Sequence, residues 1–275
     1  MTDDSSAEKR ALYRRQAGGY VATSATESTW SRQQIAGGAV LALFGHVLED
    51  VPTPQEMCLS RLTADLFRAV PVGEVLEVES TVLRAGKRIQ VVEMTLSVGD
   101  KEFARARALR LRHEDVRDAP GLPDSTTTAD PAAALLPPDD PRVVRMEGRE
   151  GIPRFLLEGA ELRRSPRLDG GPQGLWLRLR GPVIEGEPVR PTSRVALATD
   201  FANVIGVLNF NPKQVSTINP DVSAHLAREP SGDWIALVGD TYFAHEGGRG
   251  MSVAYMSDEH GVFGVASTCQ LVQPL

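Results

Sequence analysis

Asp200 is an acidic residue in a stretch that is otherwise almost entirely apolar, ALATDFANVIGVLN at 196–209. Such a stretch predicts a helix buried on most of its faces, and burial of an ionised carboxylate is costly unless it is paired or hydrogen-bonded. Apolar neighbours such as Phe201 and Val204 would raise the pKa of the Asp200 carboxyl, which suits it to take a proton from water. Asp200 is therefore a candidate general base. The alternative is that it satisfies backbone N–H groups of a helix or loop.

The sequence offers no arrangement typical of a covalent nucleophile. Asp221, His225 and Thr241 are residue types used in such sites, but they have no Ser or Cys partner at a recognisable turn, and the GxSxG pattern is absent. We interpret them as structural. Cys58 and Cys269 lie in no CxxC pair, and two cysteines are too few for a disulfide framework, so we expect reduced, packed side chains.

Composition and charge limit the classes of partner. The chain has 275 residues, 41% hydrophobic and 24% charged, which is an ordinary globular composition with room for one large or two ordinary domains. A net charge of −6 and a pI near 5.5 argue against nucleic-acid and anionic-membrane partners, because surfaces that bind these are usually basic. Neither a secretory signal pattern nor an apolar run of about 18 residues is present. We expect a soluble cytoplasmic protein.

Similar segments recur about 160 positions apart, and a repeat that is overlooked distorts the assignment of a fold. LFRAVPVGEVLEV at 66–78 resembles LAREPSGDWIALV at 226–238, since Leu, Arg and a Pro-x-Gly-acidic turn come before an alternating apolar strand in both. The flanking segments match in the same order, with a helix-like segment before the turn (37–50 and 198–210) and a hairpin-like pair after it (88–112 and 250–273).

Alternating apolar and polar residues after each helix predict an antiparallel sheet with one covered face. One copy alone cannot bury its helix on all sides, so we expect the two copies to pack sheet edge to sheet edge as a pseudo-dimer. The segment between them is rich in Pro, Asp, Ser and Thr and has no period, which predicts a semi-extended linker. The expected division is an N-terminal repeat at 1–112, the linker at 113–145 and a C-terminal repeat at 146–275.

A helix wrapped by an antiparallel sheet, twice in one chain, with Gly37–Gly38 opening the first helix, resembles the double-hotdog acyl-CoA thioesterases of thioesterase II type. The resemblance runs from about Trp30 to Leu275 apart from the linker, and is closest to an actinobacterial-like branch. It implies an α+β fold, a tandem hotdog in which each half is a long central helix wrapped by an antiparallel β-sheet. The pattern that carries it in the second half consists of Asn219, Pro220, Asp221, His225, Arg228, Pro230, Gly232, Trp234, Gly247, Gly248, Gly250, Asp258, Gly261 and Gln270.

The family's catalytic network is an Asp on the second central helix, a Ser or Thr at the start of the next strand and a Gln on the last strand. Asp200 in ATDFANVIG matches the Asp, and Gln270 in ASTCQLV matches the Gln. Asn219 occupies the hydroxyl position, which is a departure, and Thr217 is an approximate stand-in two residues upstream. The resemblance thus implies Asp200 as base, with Gln270 and Asn219 orienting the water. The structural alternatives are a strand residue for Gln270 and a turn residue before Pro220 for Asn219.

Gly37 and Gly38 are candidate substrate-binding residues. Backbone N–H groups at a helix N-terminus are ready-made donors for an oxyanion, and glycines allow a close approach. These donors come from the first copy and Asp200 from the second. At an offset of 160 the first copy has Val40 in place of Asp200 and Arg110 in place of Gln270, so one competent site is predicted.

Two arginine-rich stretches could contact the phosphates of coenzyme A, although such rows are more often solvated faces. In WLRLR at 176–180 the arginines share one strand face. In RARALRLR at 105–112 the arginines change from odd to even sequence positions between Arg107 and Arg110. This change of parity predicts a β-bulge.

The leading prediction is a hydrolase of a fatty or related acyl thioester, carried by CoA or by an acyl-carrier protein, with no metal or redox cofactor. The alternative is a non-catalytic acyl- or polyketide-binding protein that retains the fold, or a divergent hotdog enzyme of lipid or natural-product metabolism. Asn219 in place of a hydroxyl keeps the binding alternative open. A hotdog hydratase is disfavoured because that relative has a His close to its Asp, and no His lies near Asp200. Association into a homo-oligomer is expected from the family.

Overall fold

The computed structural model describes residues 10–119, 121, 130–146, 152–208 and 214–274 of the protein. Within these residues an extended antiparallel sheet of fourteen strands wraps around the helices. The strands are β1 Tyr13–Gln16, β2 Gly19–Ala22, β3 Met57–Leu66, β4 Val75–Ala85, β5 Ile89–Val98, β6 Lys101–Arg112, β7 Val144–Arg145, β8 Ala160–Ser165, β9 Gly174–Leu179, β10 Val215–Ile218, β11 Asp221–Leu226, β12 Ile235–Ala244, β13 Arg249–Asp258 and β14 Gly261–Pro274. The α-helices are α1 Gly37–Asp50, α2 Pro191–Asp200 and α3 Ala202–Val207.

The sheet consists of two matching sectors that meet at the antiparallel pair β3–β11. On one side of this junction the order is β3-β6-β5-β4-β2-β1, and on the other it is β11-β14-β13-β12-β9-β8, with β7 at the far edge. At the junction Ala64 pairs with Val222 and Leu62 with Ala224. The tandem hotdog expected from the sequence is confirmed, and its halves join sheet edge to sheet edge.

The turns of the repeat have a glycine with a positive φ angle at the matching position in both halves. Gly73 before β4 and Gly232 before β12 have φ angles of +93° and +61°, in the left-handed region that favours glycine. The hairpin strands that follow begin 160 positions apart, at Ile89 and Arg249. The Pro-x-Gly-acidic pattern is therefore a turn that starts the same strand in each copy.

The second central helix differs from its prediction. The first helix occupies Gly37–Asp50 as expected, but the stretch 196–209 does not form one helix. α2 begins earlier, with Pro191 in its first turn, and ends at Asp200, where the backbone N–H of Phe201 bonds back to Ala198. Asp200 thus lies at the end of a helix rather than in the middle of one. Residues 209–213 lie outside the described part of the chain.

The helices α1 and α2 cross in close contact near Gly45. A Cβ atom at Gly45 would lie 2.6 Å from the carbonyl oxygen of Thr192 and 2.7 Å from the Cα of Ser193. The Thr192 hydroxyl donates to the Gly45 carbonyl oxygen at 2.7 Å. The residues of α1 from Gly38 to Leu48 are all buried, so this helix is the centre of the core rather than a surface element.

The predicted bulge between Arg107 and Arg110 is wrong in its position. β6 pairs regularly with β5 through this region, and the irregularity lies on the neighbouring strand β3, between Leu59 and Arg61. Arg107 faces solvent, whereas Arg110 is only 5% exposed. The parity of the arginines changes because one of them is a buried inward-facing residue. In β9, by contrast, Trp176 and Arg178 share the partly exposed face as predicted, the leucines are buried, and Arg180 lies just beyond the end of the strand.

Part of the predicted linker is packed against the sheet. Ala132 and Leu135 form a small apolar cluster with Ala236 and Val238 of β12, and the indole N–H of Trp176 donates to the Leu136 carbonyl oxygen at 2.8 Å. The boundaries of the linker and of the two repeats stay a prediction.

Both cysteines are free, but only one is close to its expected environment. Cys58 is partly buried and lies 3.5 Å from Nδ1 of His113. Cys269 is exposed, so the expectation of a packed side chain there is wrong, because its position on β14 faces outward.

We expect Gly45→Ala to destabilise the protein by about 1–3 kcal/mol, even though alanine favours helix, because the added methyl group would meet backbone atoms of α2 that cannot rotate away. Thermal or denaturant unfolding measures the change. An unchanged or higher free energy of unfolding would contradict the close crossing of the two helices.

Candidate active site

The carboxylate of Asp200 lies where the end of α2 meets the beginning of α1. A Cβ atom at Gly37 would lie 2.9 Å from Oδ1 of Asp200, and one at Gly38 would lie 3.3 Å from Oδ2. The amide nitrogen Nδ2 of Asn219 donates to Oδ1 of Asp200 at 2.8 Å. The predicted residues Asp200, Asn219, Gly37 and Gly38 are therefore neighbours, contributed by both halves of the chain.

Burial determines the protonation behaviour of Asp200. Desolvation raises the pKa of its carboxyl above the ordinary value, while hydrogen bonds from Asn219 and from the backbone N–H of Gly38 oppose the rise. Its position at the C-terminus of α2 disfavours a negative charge, whereas the N-terminus of α1 favours one. The balance leaves a carboxylate that is more basic than a solvated Asp.

The glycines at the start of α1 allow the two helices to approach closely. The backbone N–H of Gly38 bonds to Asp200, so this donor serves the carboxylate in the structure. Any side chain at Gly37 would displace the carboxylate. The role in oxyanion binding assigned to these residues stays a prediction.

Gln270 belongs to a second polar cluster beside the first. Its amide nitrogen Nε2 donates to Oδ1 of Asn203 at 2.6 Å and to the Ser252 hydroxyl at 2.8 Å. The Thr217 hydroxyl donates to the same Oδ1 of Asn203 at 3.3 Å. Among the described residues, Asp200 and Gln270 share no direct hydrogen bond, so the two groups are held by different partners.

The ends of β10 and β14 bring the two clusters side by side. Ile218 pairs with Leu271, so Asn219 and Gln270 are the next residues along the two strands at the end of this ladder. On the helical side, Asn203 follows Asp200 by three residues, which is close to one helical turn. Each cluster thus joins the α2–α3 segment to the same end of the β10–β14 pair.

Sequence reasoning missed Asn203 and Ser252. A signal was present for each, since Asn203 lies three residues after Asp200, and Ser252 occupies the inward parity of β13. In the sequence, Thr217 is an approximate stand-in for the hydroxyl that Asn219 lacks. Its hydroxyl contacts Asn203 instead.

The other motif residues have structural contacts. The carboxylate of Asp221 accepts a hydrogen bond from the backbone N–H of Cys269 at 2.8 Å, and the Thr241 hydroxyl contacts the Ser252 hydroxyl at 2.6 Å. Arg228 forms two hydrogen bonds with Asp258, both at 2.6 Å.

The positions that precede Asp200 and Gln270 by 160 residues hold different chemistry. Val40 is buried in the core, and Arg110 donates to the carbonyl oxygens of Leu48 and Val51 and to Oε1 of Gln90. Arg110 therefore satisfies the C-terminus of α1 instead of completing a second site.

Two further observations concern the described part of the chain. No group of three or more His, Cys, Asp and Glu side chains is arranged there to hold a metal ion. None of its helices has both the length and the apolar character needed to cross a membrane.

Comparison with known proteins identifies a family model that matches part of the chain and solved structures that resemble its fold. Residues 26–111 match the family model of the acyl-CoA thioesterase N-terminal domain. No curated protein sequence matches significantly.

Solved structures resemble the chain along its length. The acyl-CoA thioesterase II TesB2 of Mycobacterium marinum is 14% identical, with a TM-score of 0.63, over 95% of this chain and 94% of that one. A thioesterase II candidate of Thermobifida fusca YX is 15% identical, with a TM-score of 0.65, over 96% of each chain. A hot dog fold protein of unknown function from Alicyclobacillus acidocaldarius is 13% identical, with a TM-score of 0.66, over 97% of each. Residues 26–111 are thus similar to the acyl-CoA thioesterase N-terminal domain family, and along its length the chain has a tandem hotdog fold.

Proposed function

We propose that the protein hydrolyses an acyl thioester, with acyl-CoA as the substrate class, and that Asp200 is its general base. The observation that carries the proposal is the Asp200 carboxylate itself. It lies between the N-terminus of α1 and Asn219, and desolvation raises its pKa. A base with a raised pKa takes a proton from water more readily than a solvated Asp does.

In the proposed reaction Asp200 removes a proton from a water molecule whose oxygen attacks the thioester carbonyl carbon. The carbonyl oxygen becomes an oxyanion, for which the backbone N–H of Gly37 is the proposed donor, because the Gly38 N–H already binds the Asp200 carboxylate. The C–S bond then breaks, and the thiolate leaves with the proton held by Asp200. The products are a carboxylic acid and a free thiol, and Asp200 returns to its ionised form.

Asn219 and Gln270 are proposed to orient the water. Asn219 already donates to Oδ1 of Asp200, and this contact together with the Gly38 N–H fixes the carboxylate that would receive the proton of the water. Gln270 lies at the same end of the β10–β14 ladder, so its amide would approach the water from the sheet side.

A second candidate function is binding of an acyl or polyketide group without turnover. Asn219 favours this reading, because an amide rather than a hydroxyl contacts the carboxylate. Release of thiol from a panel of acyl-CoA and acyl-carrier thioesters separates the two. Turnover supports the hydrolase, whereas thermal protection by the same compounds without thiol release supports the binding protein.

We expect Asp200→Asn to lower kcat by about 10²-fold or more, because the base is lost while the side chain keeps its shape and still accepts from Asn219. Thiol release measures the rate, and circular dichroism checks the fold. A variant with the full hydrolytic rate would rule out Asp200 as the base.

The same variant is expected to be more stable than the wild type at neutral pH. Burial raises the pKa of Asp200 in the folded protein, so ionising it costs stability, and this cost appears as pH rises through the folded pKa. The gain in Tm of Asp200→Asn should therefore shrink on acidification. A constant gain between neutral and acidic pH would contradict the raised pKa.

In the pH profile of kcat/KM, the fall in rate on the acid side should lie at a higher pH than the ordinary pKa of an Asp. The reason is that the base must be ionised. This part of the profile is called the acid limb. The hydrogen bond from Asn219 lowers the pKa of Asp200, so Asn219→Leu should move the limb to higher pH still. Asn219→Ser is the matched control, because a hydroxyl can still donate to the carboxylate. If Asn219→Leu leaves the limb in place, the contact does not tune the base.

A further inference from the structure

The side-chain amide of Gln270 is fixed in one orientation by its neighbours. Gln270 is only 3% exposed. An amide NH₂ group has two hydrogens, and those of Nε2 point to Oδ1 of Asn203 at 2.6 Å and to the Ser252 hydroxyl at 2.8 Å, with the Asn203 carbonyl oxygen more distant at 3.4 Å. The donor capacity of Gln270 is therefore used within the protein.

The carbonyl oxygen Oε1 of Gln270 differs from Nε2 in its hydrogen bonding. It is buried and has no hydrogen-bond partner among the described residues. A buried acceptor without a donor is unfavourable, so this atom is available to accept from a hydrogen-bearing group that enters the site. Of the two groups that meet at the reaction centre, the attacking water carries hydrogens and the thioester carbonyl does not.

The partners of Gln270 are themselves held in place. Oδ1 of Asn203 also accepts from the Thr217 hydroxyl, and the Ser252 hydroxyl contacts the Thr241 hydroxyl at 2.6 Å. Because these residues come from α3, β10, β12 and β13, the orientation of the amide is determined by tertiary packing.

Gly250 leaves room for this orientation. It pairs with Gln270 across β13 and β14, and a Cβ atom at Gly250 would lie 2.7 Å from Oε1 of Gln270 and 3.0 Å from the Phe243 ring. Any other residue at position 250 would push the carbonyl oxygen out of its place.

We infer that Asn203 is a positioning residue that holds Gln270 with Oε1 toward the reacting water, so that Gln270 acts in the reaction as a hydrogen-bond acceptor. This inference rests on the proposed hydrolase function. One hydrogen of the water goes to Asp200 when the oxygen attacks, and Oε1 of Gln270 accepts the other. The oxyanion is then stabilised by donors other than Gln270.

The test compares Asn203→Leu with Asn203→Asp. Leucine has a similar size but no acceptor, so the Gln270 amide is released and kcat should fall by about 10- to 100-fold, while KM changes little. Aspartate still accepts from Nε2 of Gln270, so kcat should stay within about threefold of the wild type on the pH plateau. The added charge near Asp200 should move the acid limb to higher pH.

A second measurement follows the amide itself. Selective ¹⁵N labelling, assigned with Gln270→Glu, reports exchange of the side-chain NH₂ protons with solvent. These protons should exchange slowly in the wild type and in Asn203→Asp, and faster in Asn203→Leu. Equal exchange in all three proteins, or equal loss of kcat in both Asn203 variants at every pH, would overturn the inference while leaving the hydrolase intact.

The proposed hydrolase function is tested separately, by measuring thiol release by the wild type. If the wild type releases no thiol from any acyl thioester, the hydrolase proposal fails, and the role of Asn203 in a reaction fails with it. If the wild type is active, only the Asn203 comparison decides the inference.

Discussion

The candidate site depends on the contact between the N-terminus of α1 and the C-terminus of α2. Gly37 and Gly38 leave so little room that an added Cβ at either position would approach the Asp200 carboxylate. At the other end of the crossing, Gly45 lets α1 lie against the backbone of Thr192. Because the halves of the chain meet through these glycines, the carboxylate of one half receives the backbone N–H of the other.

The balance of forces on Asp200 explains how a reactive group can remain in a stable core. Desolvation disfavours its ionised form, and two hydrogen bonds recover part of this cost. A carboxylate paired with an arginine would be better stabilised, but its pKa would be lowered and it would be a weaker base. Neutral donors from Asn219 and Gly38 hold the group in place without removing its basicity.

The two sectors of the sheet have the same strand order, but they bury different side chains at matching positions. At the position of Gln270 the first half has Arg110, which binds the carbonyl oxygens at the end of α1 and the amide of Gln90. A buried arginine that has these acceptors stabilises the helix end, and the same space cannot also receive a substrate. The halves are alike in topology because the turns and strand alternation are alike, and they differ in chemistry because a few inward positions differ.

Much of the architecture could be predicted from the sequence. Strand alternation, the Pro-x-Gly-acidic turns and the recurrence at about 160 positions are local signals, and they predicted the sheet, the first helix at Gly37–Asp50 and the junction of two copies. The environment of single residues was harder to predict. In β6 the arginines change from odd to even positions, which by itself favours a bulge, because the sequence does not show that Arg110 finds acceptors in the core.

For the site, the sequence by itself determined which groups are available: a carboxylate in apolar surroundings at Asp200, and amides at Asn219 and Gln270. Only the tertiary structure decided how they are paired. Asn219 bonds to Asp200, while Gln270 bonds to Asn203 and Ser252. The physical reason is that hydrogen bonds act over about 3 Å and need aligned donors and acceptors. Residues distant in the chain satisfy that condition only after helix packing and strand register have fixed their positions.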